Sequence, residues 1–338
     1  MNKKMIRWTF SVVISFGILL AVSLFSLSIG SSGLFLRDIL PLIIDGRGST
    51  EYRILFDIRL PRIILGFAIG GALSVAGVIL QGMFRNPLVD PYTLGISGGA
   101  ALGICMGIIM RFNIALGSLS LPLAGFSGAI LIILLVYFLS QRKGILHIQG
   151  LLLTGVMISF ISSSLIMLIM AVSHTENLQG IIFWIMGSLE EPNWTLIKVA
   201  AIVSVSGLIV SYIFSFDLNA LSLGEDEAQH LGVNIEKVKR LLFVLASLLT
   251  GVCVSVSGVI GFVGLVVPHL SRFFVGSDHR ILLVISFLFG ASFLILCDTL
   301  ARTIISPLEL PVGVITGILG GSIFIYVLAR RQHGGDSA

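Results

Sequence analysis

Two arginines stand three positions apart in the run Arg59-Leu60-Pro61-Arg62, and this spacing could serve a binding site. It places both guanidinium groups on one face of a helix, and Pro61 predicts that the helix begins there. Positive charge is unfavourable at a helix N-terminus. The pair therefore indicates either an acidic partner or contact with lipid headgroups, and the residues alone favour neither.

A second candidate site is the polar segment 217–240, in which leucines recur among acids and amides. Leu221 and Leu223 are spaced along it, and Gly224 and Gly232 interrupt it. The pattern predicts two short amphipathic helices. A solvated linker is the alternative. A linker needs no spaced leucines, so the pattern favours a docking surface.

Residue types that catalyse reactions or bind metals form no pattern in this chain. The sequence contains no G-x-x-x-x-G-K-[ST], no H-E-x-x-H and no G-x-S-x-G, and its six histidines are scattered. Cys105, Cys253 and Cys297 lie far apart in apolar runs and are interpreted as packing residues. We therefore expect no catalytic residue, no metal site and no cofactor. The dispersed net charge of +4 predicts no nucleic-acid surface.

The elements that must position these residues are strongly apolar. Apolar types make up 56% of the 338 residues and charged types only 11%, against about 25% in soluble domains. This composition predicts an all-α polytopic membrane protein with ten spans. The ten apolar runs lie near 8–29, 60–82, 93–110, 119–139, 150–171, 195–216, 241–260, 261–275, 281–301 and 311–329. A further apolar piece, 180–187, is too short to span and is predicted to be interfacial or re-entrant.

Charges near the ends of the runs predict the orientation of the chain. Lys3, Lys4 and Arg7 precede a first run that is longer than a typical signal-peptide core. We expect a retained helix with a cytoplasmic N-terminus, and ten spans return the C-terminus to the same side. Asp298 and Arg302 stand four apart near an outer end and are expected to pair. The scarcity of carboxylates in mid-span argues against an ion-coupled secondary transporter, which remains the alternative.

The chain also resembles itself at a shift of 181 positions, which gives ten identities across the 37 positions 59–95. The second and seventh runs are matched by this shift, and they cross the membrane in opposite directions. The pattern predicts an inverted internal repeat, with halves at about 57–171 and 238–329, in one transmembrane domain over 1–338. Chance similarity between two Gly/Val-rich helices is the alternative.

Several stretches, in their order and spacing, resemble the FecCD and vitamin B12-type permease subunits of ATP-binding-cassette (ABC) importers for iron siderophores, haem and corrinoids. The matching stretches are R-L-P-R at 59–62, Q-G-M-F-R-N-P-L-V-D-P-Y-T-L-G at 81–95, L-L-L-T-G at 151–155, A-L-S-L-G-E-D-E-A-Q-H-L-G at 220–232, S-G-V-I-G-F-V-G-L-V-V-P-H-L-S-R at 257–272 and E-L-P-V-G-V-I-T-G at 309–317.

The resemblance implies a type II importer permease of ten helices in a bacterial or archaeal inner membrane. It implies a homodimer, two ATP-binding subunits on the cytoplasmic side that hydrolyse Mg-ATP, and an extracytoplasmic substrate-binding protein. The cargo implied is a ferric siderophore or related metal chelate, with haem or a corrinoid such as vitamin B12 as alternatives. The chain itself would be a transport subunit and not an enzyme.

The resemblance also implies roles for individual positions. It assigns docking of the binding protein to Arg59, Arg62 and Arg302. It assigns coupling to the ATPase to the cytoplasmic loop at about 217–240, with Leu221, Gly224, Glu225 and Gly232 as the matching positions. It places the inner gate at His147, Ile148 and Gln149, where this chain lacks the small hydroxyl residues of the family.

Overall fold

The structure, a computed structural model, describes residues 3–29, 41, 48–112, 117–142 and 145–334. The outermost residues of the domain expected over 1–338 lie outside this part. In chain order the α-helices are α1 (Lys3–Ser28), α2 (Thr50–Phe84), α3 (Ile96–Ile109), α4 (Ser120–Ser140), α5 (Ile148–Val172), α6 (Thr175–Ile185), α7 (Trp194–Ile213), α8 (Ser215–Leu223), α9 (Glu225–His230), α10 (Ile235–Ser257), α11 (Val263–Val275), α12 (His279–Thr303) and α13 (Val312–Gly334). Two-residue strands β1 (Gln141–Arg142) and β2 (Ile145–Leu146) pair antiparallel between α4 and α5.

The helices confirm a polytopic all-α fold. Seven described helices are long and apolar enough to cross a membrane. Three shorter apolar helices lie in α3, α11 and α13. Together they place one helix at each of the ten predicted runs. α6 occupies the segment predicted to be too short to span. α3 and α11 each rise only about 20 Å of the roughly 30 Å hydrocarbon core, so the broken backbone before each must complete the crossing.

Helix α2 forms the centre of the bundle and packs against α7, α10, α11 and α12. Its glycines permit this because they let neighbouring backbones approach closely. A Cβ atom at Gly70 would lie 2.2 Å from the carbonyl oxygen of Gly290 in α12, and one at Gly77 would lie 1.9 Å from that of Gly264 in α11. The abundance of glycine in the apolar runs therefore serves helix packing.

The broken backbone between α2 and α3 is held by buried side chains. Gln81 Nε2 donates to the carbonyl oxygens of Val89 and Gly264 at 3.3 and 3.2 Å. Tyr92 Oη accepts from the backbone N–H of Ile260 at 3.1 Å, which ties this break to the one before α11. Non-helical backbone at membrane depth needs such internal partners because lipid offers none.

Helix contacts follow a paired pattern. The contact between α2 and α12 corresponds to the contact between α10 and α4. The contact between α2 and α11 corresponds in the same way to that between α10 and α3. The contacts of α11 with α12 and α13 likewise correspond to those of α3 with α4 and α5. This pairing is what an inverted repeat would produce. The local register differs, because Pro87 follows α2 in a loop whereas Pro268 lies inside α11.

The two ends of the bundle carry different side chains. Lys4 Nζ lies 3.1 Å from Asp278 Oδ2 at the start of α12, and Asn219 Nδ2 of α8 donates to the same carboxylate at 3.1 Å. We call this the amino-terminal end. Ser26 near the end of α1 lies beside Arg302 near the end of α12, which defines the opposite end. The two candidate sites of the sequence therefore lie at different ends.

Candidate functional site

Arg59, Arg62 and Arg302 come together at the opposite end, within a network of charged side chains. Arg302 Nε lies 3.1 Å from Asp298 Oδ2, and Arg62 Nη1 lies 3.7 Å from Asp298 Oδ1. Asp298 therefore bridges α2 and α12, and it pairs with Arg302 as their spacing predicts. Arg59 Nη1 donates to the carbonyl oxygen of Leu27, which ties α1 into the same network.

These arginines are not open to a partner as the structure stands. Arg59 is 2% exposed and Arg62 is 5% exposed. Arg62 Nη2 lies 2.6 Å from Glu309 Oε2 and 3.4 Å from Glu190 Oε2, and both glutamates are far more exposed than the arginine. Glu190 and Glu309 thus cover Arg62. The assignment of the arginines to docking stays a prediction, and it requires that these internal pairs be exchanged.

Regular α-helix begins at Leu60 with Pro61 in its first turn, as predicted, but it continues a helical segment that the sequence did not predict. The helix begins at Thr50, and residues Ile54–Arg59 form a π-helical segment in which the N–H of Leu60 donates to the carbonyl of Leu55. Pro61 has no N–H to donate to the preceding turn, and a π segment before it accommodates the missing bond. The arginines lie inside a continuous helix, so their charges do not face an open N-terminus.

The polar segment 217–240 forms α8 and α9, which confirms the two predicted short helices. Gly224 separates them with φ +140° and ψ 160°, a conformation that side chains strongly disfavour. Leu221 is 2% exposed and packs inward, so it anchors α8 and does not offer a contact surface. Leu223 and Leu231 are 64% and 58% exposed. The apolar surface of this segment is therefore formed by these two leucines.

Sequence reasoning missed the residue that fixes this segment to the bundle. Lys239 of α10 is buried, and its Nζ lies 2.6 Å from Glu225 Oε2 and 4.0 Å from Glu236 Oε1. Glu236 Oε2 also accepts from the N–H of Leu146 in β2 at 2.9 Å. The available signal was a lysine at the start of an apolar run, with Glu236 three positions earlier on the same helix face. The Glu225–Lys239 pair thus connects the start of α9 to α10.

The predicted gate residues lie beside the same segment. His147, Ile148 and Gln149 begin α5 and line a cavity of about 310 Å³ together with Arg85 and Glu225. Gate and coupling positions that are far apart in sequence thus share one cavity at the amino-terminal end. Within the described residues, no group of three or more His, Cys, Asp or Glu side chains could hold a metal ion.

Comparison with known proteins decides the family. The sequence matches the FecCD transport family over residues 18–330, which is most of the chain. The chain belongs to the FecCD transport family. The ten-span arrangement, the packed glycines and the two polar ends are therefore features of a FecCD-family permease.

Named relatives of this FecCD-family chain are permease proteins. It is 41% identical over 284 residues to the hemin transport system permease protein HmuU of Yersinia pestis, covering 83% of this chain and 85% of that one. It is 38% identical over 287 residues to the cobalamin import system permease protein BtuC of Halobacterium salinarum, covering 85% and 76%. Among solved structures, a metal-chelate type ABC transporter in an inward-facing conformation matches with a TM-score of 0.85 at 32% identity, covering 94% of this chain and 98% of that one. The chain is a permease subunit of an ABC importer.

Proposed function

We propose that this permease forms, as a homodimer, the membrane path of an importer for ferric siderophores or related metal chelates. Haem and corrinoids are the alternative cargoes. Relatives named for iron chelatin, hemin and cobalamin transport support this range, as does the metal-chelate type of the similar structure. Energy would come from two separate ATPase subunits, and cargo from a soluble binding protein.

One observation carries this proposal: Asp, Glu, Lys and Arg are placed towards the ends of the long spans and not along them. No Asp, Glu, Lys or Arg occurs between Ile63 and Phe84 in α2, between Ile281 and Cys297 in α12, or anywhere in α3, α4 and α5. Ion-coupled transporters place such residues along the path. A path without them depends on an external energy source, and a permease driven by an ATPase meets that condition.

The amino-terminal end is the side on which the ATPase would bind. The exposed Leu223 and Leu231 flank the acidic turn of α9, and Glu225 connects that turn to α10 through Lys239. Closure of the ATPase pair would move α8 and α9 as a unit, and the Glu225–Lys239 pair would carry the motion into the bundle. This assignment puts the N-terminus of the chain in the cytoplasm, and the basic residues at this end agree with the positive-inside rule.

The opposite end is the side on which the binding protein would dock. Glu190 and Glu309 shield Arg62 and Asp298 around a cavity of about 440 Å³. Acidic side chains of a binding protein would displace Glu190 and Glu309 from Arg62, since one guanidinium group cannot pair fully with all of them. Docking would then rearrange the contact between α2 and the loop before α13.

Uptake in cells tests the cargo. A strain that lacks this chain, and the same strain with the chain restored, are given ⁵⁵Fe as a siderophore complex, as haem and as citrate, together with labelled cobalamin. We expect one iron chelate to depend on the chain. Dependence of cobalamin uptake alone would contradict the preferred cargo and favour the alternative. Unchanged uptake of every compound would contradict the proposal.

A further inference from the structure

A cavity of about 380 Å³ opens at the amino-terminal end between α2, α8, α11 and α12, and no part of the proposed function uses it. Its charged and polar lining includes Gln81, Arg85, Ser222, Arg272 and His279. None of the described residues that line it is an aspartate or a glutamate. The cavity is therefore cationic and polar.

Arg85 and Arg272 are the two arginines of this cavity. Arg272 Nη1 donates to the neutral amide oxygen of Gln81. Within the described residues neither Arg272 nor Arg85 forms an ion pair, whereas Arg280 and Lys4 at the same end both bind Asp278. Arg272 is partly buried, and a guanidinium group in that position without an anion is unfavourable, because burial removes water that nothing replaces. An anion in the cavity would supply the missing partner.

A buried histidine on the wall of the cavity provides an independent observation. His279 is 3% exposed, and its Nδ1 and its backbone N–H both lie within hydrogen-bond distance of Asn219 Oδ1, at 2.8 and 2.9 Å. The amide of Asn219 is oriented by its bond to Asp278, so Nδ1 carries the proton and donates. His279 Nε2 then has a lone pair, and within the described residues it has no hydrogen-bond partner.

We propose that this cavity is a binding site for a phosphate group, either free phosphate or the headgroup of an anionic phospholipid. Arg85 and Arg272 supply charged donors to phosphate oxygens, and a protonated phosphate oxygen can donate to His279 Nε2. Basic pockets between membrane helices on the cytoplasmic side are a recurring place for lipid headgroups. The side chains of Ser222 and His279 connect the site to α8, so an occupied site would brace the helix that carries the coupling loop.

Two measurements distinguish free phosphate from a lipid headgroup. The full-length chain, purified in a non-ionic detergent, is titrated with inorganic phosphate by calorimetry at constant ionic strength. The same chain, extracted gently from membranes, is examined by native mass spectrometry for retained phosphatidylglycerol. Retained lipid that added phosphate displaces identifies the headgroup. Binding of phosphate without retained lipid identifies the free ion.

The variants are Arg272→Gln and Arg85→Asn, and Lys237→Gln is the matched control. Arg85 is exposed, and its backbone is in the left-handed region at φ +50°, which asparagine tolerates. Arg85→Asn is therefore expected to fold even if Arg272→Gln does not. Lys237 is exposed on α10 outside the cavity. We expect both arginine variants to bind about tenfold more weakly, and the control to bind as the native chain does. Binding of neither ligand by the native chain, or equal binding by all four proteins, would overturn the proposal.

Discussion

Asp298 is the residue on which the charge network at the opposite end depends. It is 4% exposed and lies between Arg62 and Arg302, two arginines that are themselves almost fully enclosed. The sequence predicted its pairing with Arg302 from the spacing of four. It could not predict Arg62 as a second partner, because that contact joins residues 236 positions apart. Nor could it predict that the guanidinium groups are covered, because burial depends on how α1, α2 and α12 pack.

Replacing Asp298 with asparagine should destabilise the chain strongly. Arg62 and Arg302 would remain buried with their shared counter-ion removed, and such a loss costs about 3–5 kcal/mol. Glu190→Gln is the control, because its side chain is 74% exposed and a surface pair contributes at most about 1 kcal/mol. The free energy of unfolding, measured by titration with a denaturing detergent, compares the two. Equal effects would show that Asp298 does not hold the network.

Asp278 predicts a pH dependence at the amino-terminal end. Its carboxylate accepts from Arg280, Lys4 and Asn219, and these hydrogen bonds hold its pKa well below the ordinary value of about 4. A lowered pKa in the folded state stabilises the fold above the unfolded pKa, and this contribution is lost as the pH falls through the folded pKa. Asp278→Asn should therefore lower the unfolding temperature at pH 7 and at pH 5.

Below about pH 4 the difference between Asp278→Asn and the native chain should shrink, because the Asp278 carboxylate protonates in the unfolded chain while it is still ionised in the folded chain. Asp226→Asn is the control. Asp226 is exposed and makes no ion pair within the described residues, so its variant should track the native chain at every pH. A difference for Asp278→Asn that is independent of pH would mean that the loss comes from packing and not from charge.

At the scale of elements, hydrophobic runs located the membrane helices well, because lipid imposes one length and one composition on every span. The two helices of the polar segment were also predictable, since Gly224 and Gly232 interrupt the chain at their ends. Which leucine faces outward was not predictable. Leu221 and Leu223 are two positions apart, and the packing of α8 on α2 and α12 determines that the first is buried and the second exposed.

This difference separates a structural role from a coupling role. Leu223→Asp should leave the unfolding temperature unchanged and weaken binding of the ATPase subunit by about tenfold or more, because it places a charge in an apolar contact. Leu221→Ala should cost about 2–5 kcal/mol of stability, because it leaves a cavity. Co-purification with the ATPase and thermal unfolding measure the two effects. Full ATPase binding by Leu223→Asp would remove α8 and α9 from the proposed interface.

For the whole molecule, the inverted repeat remains a prediction that the helix contacts support. The identities at a shift of 181 positions relate α2 to α10, and the contacts of α2 have counterparts among those of α10. The local register is not preserved, because the break after Phe84 comes later in its half than the break after Ser257 does in the other. The helix break therefore lies at a different position in each half. The identical glycines and valines of the two halves do not reveal this difference.

We propose that this permease provides a path and takes its energy from a separate ATPase. The chain is reconstituted into vesicles with its ATPase and binding protein. Uptake of the iron chelate that the cell uptake test identifies is then measured in the presence of ionophores that abolish every ion gradient. The account predicts uptake that requires ATP and the ATPase subunit and is unaffected by the ionophores. Uptake that proceeds without the ATPase and is driven by an imposed ion gradient would contradict it.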